Sequence, residues 1–324
     1  MAGMMKPTKI RPKLVYSPGY DIRWLGIEKL HPLDGCKYSR TWKVLLDRFG
    51  DKLQSATITP TAATVELLQT IHTPEYLQQL TNSHYVAQVL ELASLDWVPS
   101  GILDRQVLQP MRLATMGTVI AAKTALETGI AINLSGGYHH ARRDLGAGFC
   151  VYADVSIAIA SLRQSGQLTA ADSIAIIDLD AHQGNGLARI FELDRTIHIL
   201  DMYNQNIYPQ DRRAIDRIDR NLPLASGTRD DEYLDKLQQY LPSFLQQIDR
   251  PKIAFYNAGT DIYENDPLGR LKISAEGVLA RDRFVFQTLV NAGIPVVMVL
   301  SGGYTSESYQ LVARSVGEVW ETWG

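Results

Sequence analysis

Short apolar runs alternate with longer segments of helical period along most of the chain. The apolar runs, typical of strands, occupy residues 13–16, 130–134, 173–179, 196–200, 252–256 and 294–300. Because nearly every position in them is apolar, we expect strands covered on both faces, as in a parallel sheet. Apolar residues three and four positions apart predict helices at 110–127, 152–164, 231–248, 275–291 and 305–322. The alternation predicts one α/β domain with an open, mostly parallel, doubly wound sheet and helices on both faces.

One of the predicted helices contains a proline. Within 231–248, Leu234, Leu237 and Leu241 repeat at the helical period, and Pro242 follows them directly. A proline inside a helix removes one backbone hydrogen bond and clashes with the preceding turn. The segment is therefore expected either to kink at Pro242 or to split into two helices.

Polar residues gather at the points where four of the predicted strands end. Strand 130–134 leads into SGGYHH, strand 173–179 into DAHQGNG, strand 252–256 into NAGTD and strand 294–300 into SGGY. These ends contribute His139, His140, Asp180, His182, Asp261 and Tyr304. Open parallel sheets bind ligands beyond the carboxyl ends of their strands, so we expect these side chains to form one site.

The string DLDAH at 178–182 carries an acidic or imidazole side chain at every second position. In a strand, Asp178 and Asp180 point to the same side, and His182 follows as the chain turns out. An isolated string of this kind is more often a set of strand-end caps and turn formers, but the other strand ends favour a metal site. Asp180, His182 and Asp261 offer two oxygens and one nitrogen and leave a position open for water or substrate, as catalytic zinc requires. The same ligands also suit Fe(II).

A second metal ion is not predicted. A binuclear hydrolase would need further carboxylates close to the first set, for example in DxHxD and DxD patterns. Here Gly184 stands four positions after Asp180, and Tyr263 stands two positions after Asp261. One catalytic metal ion is therefore expected.

The composition is typical of a soluble protein of the cytoplasm. The 324 residues include 45% hydrophobic and 21% charged residues, and the net charge of −3 provides no basic surface for nucleic acid. Two cysteines, Cys36 and Cys150, fit a reducing compartment better than a disulfide framework. No apolar stretch approaches the roughly 20 residues that would span a membrane. A single domain is expected over 1–324, with 1–12 as a flexible N-terminal tail.

Four ordered motifs resemble the zinc-dependent histone deacetylase family. They are SGGYHHARRDLGAGFC at 135–150, IIDLDAHQGNG at 176–186, YNAGTDIYENDPLG at 256–269 and LSGGY at 300–304. Within that family, the sequences DAHQGNG, NAGTDI and SGGY, with VYSPGYDIRWLGIEKLHP at 15–32, are most similar to the class IV branch. The resemblance covers about residues 14 to 320. It implies the arginase–deacetylase α/β fold and hydrolysis of Nε-acyl-lysine amides.

The expected reaction gives a task to each polar group of the site. Amide hydrolysis needs a Lewis acid at the carbonyl, a base for the attacking water and an acid for the leaving amine. The metal ion would meet the first need, and His139 and His140 would supply acid–base and electrostatic help. Tyr304, on the Gly302-Gly303 turn, would donate its hydroxyl to the developing oxyanion.

The resemblance implies a partner for each of the two histidines. Asp178 would accept a hydrogen bond from His139, and the residue at 185 would hold His140. The family most often has Asp at that second place, whereas this chain has Asn185. An amide oxygen fixes the tautomer of the ring without adding negative charge. We therefore hypothesise that His140 stays neutral to lower pH and serves as the principal base.

The resemblance also implies a tunnel for an extended methylene chain. Phe149, Tyr208 and Leu268 match wall positions of the family, although each could instead serve ordinary core packing. The carbonyl of Gly148 would contact the substrate. A monovalent cation such as K⁺ is expected near the metal, bound by the carboxylate and carbonyls of the segment 178–182.

Several substrates and roles are compatible with these residues. The leading prediction is a metal-dependent deacylase acting on an acyl-lysine protein or peptide, with either an acetyl or a longer fatty-acyl group. One alternative is an acetylpolyamine amidohydrolase, acting on an acylated small amine. Another is a non-catalytic acyl-lysine binding module or scaffold. Inactive relatives of that kind usually lose a metal ligand or the tyrosine, and both are present here. No oligomeric state is predicted.

Overall fold

A single eight-stranded sheet lies at the centre of the computed structural model, which describes residues 10–23 and 34–324. Its strands are β1 (Lys13–Val15), β2 (Thr57–Ile58), β3 (Ile130–Asn133), β4 (Ile174–Asp178), β5 (Ile197–Asn204), β6 (Arg220–Leu224), β7 (Ile253–Asn257) and β8 (Val296–Val299). Their order in the sheet is β2-β1-β3-β8-β7-β4-β5-β6. Every pairing is parallel, which confirms the predicted sheet.

Helices connect the strands and carry the chain back across the sheet. They are α1 (Lys37–Ser55), α2 (Val65–Leu68), α3 (Pro74–Gln79), α4 (Ser83–Val89), α5 (Ser100–Leu103), α6 (Gln109–Thr128), α7 (Asp154–Gln164), α8 (Asn185–Ile190), α9 (Arg212–Ile215), α10 (Asp230–Gln246), α11 (Ala275–Asn291) and α12 (Ser308–Trp323). The five predicted helices correspond to α6, α7, α10, α11 and α12, with bounds that differ by a few residues.

Alternate residues of each strand pack on opposite faces of the sheet. Ile174 and Ile176 of β4 belong to the apolar core on one face, whereas Ala175 and Ile177 belong to the core on the other. Helices α6 and α7 cover the first face, and α1, α10, α11 and α12 supply the core of the second. The prediction of helices on both faces is therefore confirmed.

The apolar pattern does not predict the two strands at the edges of the sheet. Strand β2 has two half-buried residues, and β6 contains Asn221 and Pro223 among its five. An edge strand is covered less completely than an interior one, so it needs no continuous apolar run. Most of the unpredicted helices are one or two turns long, and the longest, α1, has a non-helical residue inside it at Gly50 (φ +57°).

The helix that contains Pro242 is continuous. Helix α10 runs from Asp230 to Gln246 through the proline, so the expected split into two helices is wrong. Buried residues on one side of the helix, among them Tyr233, Leu237 and Phe244, hold it against the sheet. Burial of this apolar side offsets the loss of one backbone hydrogen bond.

Parts of two sequence predictions lie outside the described residues. These are residues 1–9 of the expected N-terminal tail and residues 24–32 of the motif at 15–32. Within the described part of the tail, the backbone N–H of Arg11 donates to the carbonyl of Thr128 at 2.9 Å. No helix in the described part of the chain has both the length and the apolarity needed to cross a bilayer.

Candidate metal centre

Three ligand-type side chains meet where two adjacent strands end. Asp180 and His182 follow β4, and Asp261 follows β7, which pairs directly with β4. One ligand atom from each residue lies within 4.8 Å of the others. Nδ1 of His182 is 3.1 Å from Oδ1 of Asp180 and 2.9 Å from Oδ2 of Asp261. All three side chains are buried, so two carboxylates are held together away from water.

The two buried carboxylates of this cluster favour the binding of a cation. Although burial alone would lower the pKa of His182, its hydrogen bonds to Asp180 and Asp261 raise it to about 10. Burial and the neighbouring Asp180 raise the pKa of Asp261 to about 7. Buried carboxylates are costly unless a positive charge is paired with them. A divalent ion bound by two oxygens and one nitrogen meets that need, so these residues fit a metal of the zinc or iron type.

A glycine brings the segment that follows β8 close to the carboxylates of Asp180 and Asp261. The backbone N–H of Gly302 donates to Oδ2 of Asp180 at 2.8 Å. A Cβ atom at Gly302 would clash with Asp261 and would lie 2.6 Å from Oδ2 of Asp180. Gly303 has φ +139°, a conformation that favours glycine. The Gly302-Gly303 turn therefore allows Tyr304 to reach the three candidate metal ligands.

The two histidines after β3 are held by different partners. Nδ1 of His139 lies 2.9 Å from Oδ2 of Asp178, and Nδ1 of His140 lies 2.9 Å from Oδ1 of Asn185. Both oxygens can only accept in these contacts, so each ring carries a proton on Nδ1. The two Nε2 atoms are 3.1 Å apart and both are buried, so the protonation of one ring affects the other.

The partners divide the positive charge unequally between the rings. Burial lowers the pKa of His139, but the charges of Asp178 and Asp180 outweigh this effect and raise it to about 9. Burial lowers the pKa of His140 well below its ordinary value, and the positive charges of His139 and His182 lower it further. His139 is therefore the protonated ring of the pair, and His140 is the neutral ring.

Tyr304 lies beside the three candidate metal ligands, and its hydroxyl is protonated. Its ring is perpendicular to that of His182, with centroids 6.1 Å apart, and it contacts Phe149 edge-on at 5.8 Å. Burial, together with the charges of Asp180 and Asp261, raises the pKa of Tyr304 well above 10. The phenol is therefore a hydrogen-bond donor over the whole physiological range of pH.

A cavity of about 410 Å³ leads from the surface to this cluster. Its lining includes the predicted wall residues Phe149, Tyr208 and Leu268, together with Gly148. The ring of Tyr208 meets that of His140 edge-on, with centroids 5.1 Å apart. Gly148 and Phe149 have φ angles of +52° and +65°, which turn the chain around the cavity. The structure therefore brings all the predicted wall residues to one cavity.

A smaller cavity of about 40 Å³ adjoins the first at its inner end. Its lining includes His139, Asp180 and Tyr304, and it is closed further by Met111 and Tyr138. A single water molecule needs roughly 10–15 Å³ by a comparable measure. The inner cavity therefore has room for only a few non-hydrogen atoms.

Sequence reasoning missed three buried residues that position the site. Asp266 accepts the backbone N–H of Tyr304 at 2.7 Å and those of Leu268 and Gly269 at 2.9 and 3.1 Å. Asp154 accepts the N–H groups of Gly137 and Tyr138, both at 2.9 Å, just before the histidine pair. Lys37 is fully buried and donates to the carbonyls of Ser301 and Gly302 at 2.7 and 3.3 Å. Of these, only Asp266 lies within one of the four family motifs, the one at 256–269, and no role was predicted for it.

Known proteins share both the sequence and the fold. The chain matches the histone deacetylase domain family over residues 31–321. Histone deacetylase 2 of Arabidopsis thaliana is 43% identical over 305 residues, which cover 94% of this chain and 77% of that protein. A probable deacetylase of Archaeoglobus fulgidus is 28% identical over 260 residues, 76% of this chain and 69% of the relative. The crystal structure of the HDA15 HD domain superposes with a TM-score of 0.76 at 18% identity, over 97% of this chain and 89% of that one.

The comparisons and the geometry agree on the class of protein. The likeness to the HDA15 HD domain confirms the fold, and the family match includes every motif from the histidine pair to Tyr304. The 43% identity covers nearly the whole chain. The chain belongs to the histone deacetylase domain family.

Proposed function

We propose that this protein hydrolyses the amide bond of Nε-acyl-lysine, using a zinc ion held by Asp180, His182 and Asp261. The observation that carries the proposal is the convergence of these three buried ligands, within 4.8 Å, beside a neutral histidine and a protonated tyrosine. Fe(II) would fit the same donors. Membership of a family whose relatives include a probable deacetylase supports a hydrolytic role.

The side chains divide the proton transfers of the reaction. When bound, zinc supplies Lewis acidity at the amide carbonyl and acidifies the attacking water. Nε2 of His140 accepts the proton of that water, because Nδ1 already donates to Asn185. The same nitrogen later returns the proton to the leaving amine. Tyr304 donates its O–H to the oxyanion as charge develops. His139, held by Asp178, keeps a positive charge beside the reacting groups.

The walls of the cavity would hold the substrate. Phe149, Tyr208 and Leu268 present apolar surface to the methylene chain of lysine, which has no hydrogen-bonding groups to satisfy. The carbonyl of Gly148 would accept the N–H of the scissile amide. Gly302 would line the inner end of the site, where a larger residue would clash with Asp180 and Asp261. Gly303 would allow the turn, because a Cβ atom there would clash with Thr260 and Ser308.

We assign the chain to the class IV branch and expect a short acyl group. The assignment to this branch rests on the sequences DAHQGNG at 180–186, NAGTDI at 257–262 and SGGY at 301–304. The acyl group would enter the inner cavity, whose volume of about 40 Å³ suits an acetyl group. A long fatty-acyl chain would need that cavity to widen considerably.

A monovalent cation such as K⁺ would bind behind the metal ligands. Oδ1 of Asp201 is buried and has no hydrogen-bond partner in the described part of the chain. Burial and the neighbouring Asp178 raise the pKa of Asp201 well above its ordinary value. Two buried carboxylates this close together are stabilised when a cation binds between them. This orphaned oxygen supports a cation held by Asp178, Asp201 and the carbonyls of the segment 178–182.

One observation favours a second candidate, the deacylation of an acylated small amine. The carboxylate of Glu91 lies in the lining of the large cavity, where it could attract a second positive charge on the substrate. Arg270 lies in the same lining and would oppose that charge. Acyl-lysine therefore remains the preferred substrate class.

The test is turnover of a peptide panel by the zinc-loaded protein. Peptides that carry acetyl-, butyryl-, octanoyl- and myristoyl-lysine are incubated with the enzyme, and release of the free amine is measured. We expect hydrolysis that is fastest for acetyl-lysine. Tyr304→Phe should lower kcat by about 10²-fold or more, because it removes the oxyanion donor.

The control is the zinc content of the same variant. Tyr304→Phe leaves the three ligands intact, so it should bind zinc as the wild type does. Full zinc content without turnover of any peptide or acylated amine would contradict the proposal and favour a binding module. A preference for myristoyl-lysine would refute the assignment of a short acyl group alone.

A further inference from the structure

Two opposite charges stand at the mouth of the large cavity. Glu91 and Arg270 are exposed, and both line the cavity that ends at His182 and Tyr304. Neither side chain forms an ion pair or a hydrogen bond with any residue in 10–23 or 34–324. Charged side chains on a protein surface are commonly paired or fully surrounded by water. Here both border a cavity that has the size of a binding site.

The backbone around the mouth is strained at these same residues. Glu91, Arg270 and Gln210 have φ angles of +53°, +54° and +50°, and Phe149 has +65°. Across the described chain six residues other than glycine have positive φ, and these four all line this one cavity. Left-handed conformations are uncommon for residues other than glycine and are often found at ligand-binding sites. Left-handed backbone therefore coincides with the lining of this cavity, at both of the charged residues.

The chemistry of lysine predicts what would lie between them. In the proposed binding mode the amide lies at the metal ligands and four methylene groups fill the slot, so the Cα atom reaches the mouth. In a free amino acid this carbon carries an ammonium group and a carboxylate. In the interior of a peptide it carries two uncharged amides, and an acylated polyamine has positive charge only. Only the free amino acid offers a partner to both Glu91 and Arg270.

We propose that the preferred substrate is free Nε-acyl-lysine, with its α-ammonium group bound by Glu91 and its α-carboxylate bound by Arg270. This inference rests on the proposed function and names its substrate. The two residues act as specificity determinants far from the reacting bond, so they contribute uniform binding and should act mainly on KM.

The experiment compares four lysine derivatives on the zinc-loaded enzyme. They are Nε-acetyl-lysine, its Nα-acetyl derivative, its carboxamide and the compound blocked at both ends, with N-acetylputrescine and an acetyl-lysine peptide alongside. We expect kcat/KM for the free amino acid to exceed that for the doubly blocked compound by about tenfold, since each partly exposed ion pair contributes a modest factor.

Two charge-neutralising variants assign each contact. Glu91→Gln should abolish the preference for a free α-amine, and Arg270→Gln should abolish the preference for a free α-carboxylate. Glu127→Gln and Arg195→Gln remove exposed charges outside the cavity and serve as matched controls that keep both preferences. Each preference is a ratio of two substrates on one protein, so it does not depend on the fraction of folded enzyme.

Three outcomes would overturn the inference. The first is equal turnover of free and doubly blocked lysine, which leaves the proposed function intact. The second is a loss of the same size on all four derivatives in the variants. The third is faster turnover of N-acetylputrescine than of Nε-acetyl-lysine, which would favour the small-amine reading. Lack of turnover of every compound, in contrast, overturns the proposed function itself and this inference with it.

Discussion

The neighbouring histidines show how a single partner sets the task of a side chain. His139 faces the carboxylate of Asp178, and His140 faces the amide of Asn185, each at 2.9 Å. The carboxylate stabilises an imidazolium, whereas the amide fixes the ring without stabilising its charge. This difference is the physical basis for proposing that His140 is the base. It depends on one oxygen-for-nitrogen difference between the side chains of Asp and Asn at 185.

Asn185→Asp should move the acidic limb of the pH profile of kcat/KM to higher pH. The added carboxylate favours the protonated form of His140 and raises its pKa, commonly by about 1–3 units for a close opposite charge. A base must be neutral to act, so activity should be lost at a higher pH than in the wild type. The measurement is kcat/KM on an acetyl-lysine substrate from pH 5 to 8.

Asn291→Asp is the matched control, because it adds the same charge at the exposed end of α11. It should leave the acidic limb where the wild type has it. A limb that stays in place, or that moves to lower pH, in Asn185→Asp would show that His140 is not the base.

The sequence could name the residues proposed to react and the partners of the two histidines, but not the other residues that position them. Asp180, His182 and Asp261 stand at strand ends, and the common edge of a parallel sheet brings such residues together. Asp154 and Lys37 act through backbone groups that are 16 and 264 residues away, which no local pattern reveals. Their contacts depend on the tertiary structure, so they had to be read from it.

At the scale of elements, interior strands are easier to predict than edge strands. Strands β4 and β7 are buried at every residue and give continuous apolar runs. Strands β2 and β6 lie at the two edges, where partial exposure allows threonine, asparagine and proline. The same reasoning applies to helices, since short ones do not last long enough for a period of 3.6 residues to repeat.

Pro242→Ala should stabilise the protein. Helix α10 continues through this proline, so the native state lacks one backbone hydrogen bond that alanine would restore. A proline inside a helix costs about 3 kcal/mol relative to alanine, and we expect a gain of about 1–3 kcal/mol in the free energy of unfolding. Denaturant unfolding measures the difference. Pro251→Ala, outside the helix, is the control and should give no such gain. Equal or lower stability of Pro242→Ala would mean that the helix is already distorted to accommodate the ring.

At the scale of the whole molecule, the proposed metal site would couple metal binding to folding. The site joins segments that follow β4, β7 and β8, and it contains two buried carboxylates that repel each other without a cation. An ion that binds only the folded state adds about 4 kcal/mol when its concentration is a thousand times its Kd. A metal bound there would therefore act as a clamp between distant parts of the chain.

Removal of the metal with a chelator should lower Tm by several degrees, and added zinc should restore it. Asp261→Asn removes one ligand and one buried charge, so its Tm should respond weakly to chelator and to zinc. The measurement is thermal unfolding with and without each addition. A wild-type Tm that ignores both would contradict a metal site built from these residues.

The position of β8 has a consequence for biosynthesis. This strand is the final one along the chain but lies between β3 and β7, in the interior of the sheet. The histidine pair follows β3 and the proposed metal ligands follow β4 and β7, so β8 joins the two halves of the proposed catalytic centre. A ribosome-bound chain that lacks β8 holds two half-sheets with open edges, which are targets for chaperones and for aggregation. Catalytic competence is thus expected to arise in one late step, when insertion of β8 closes the sheet.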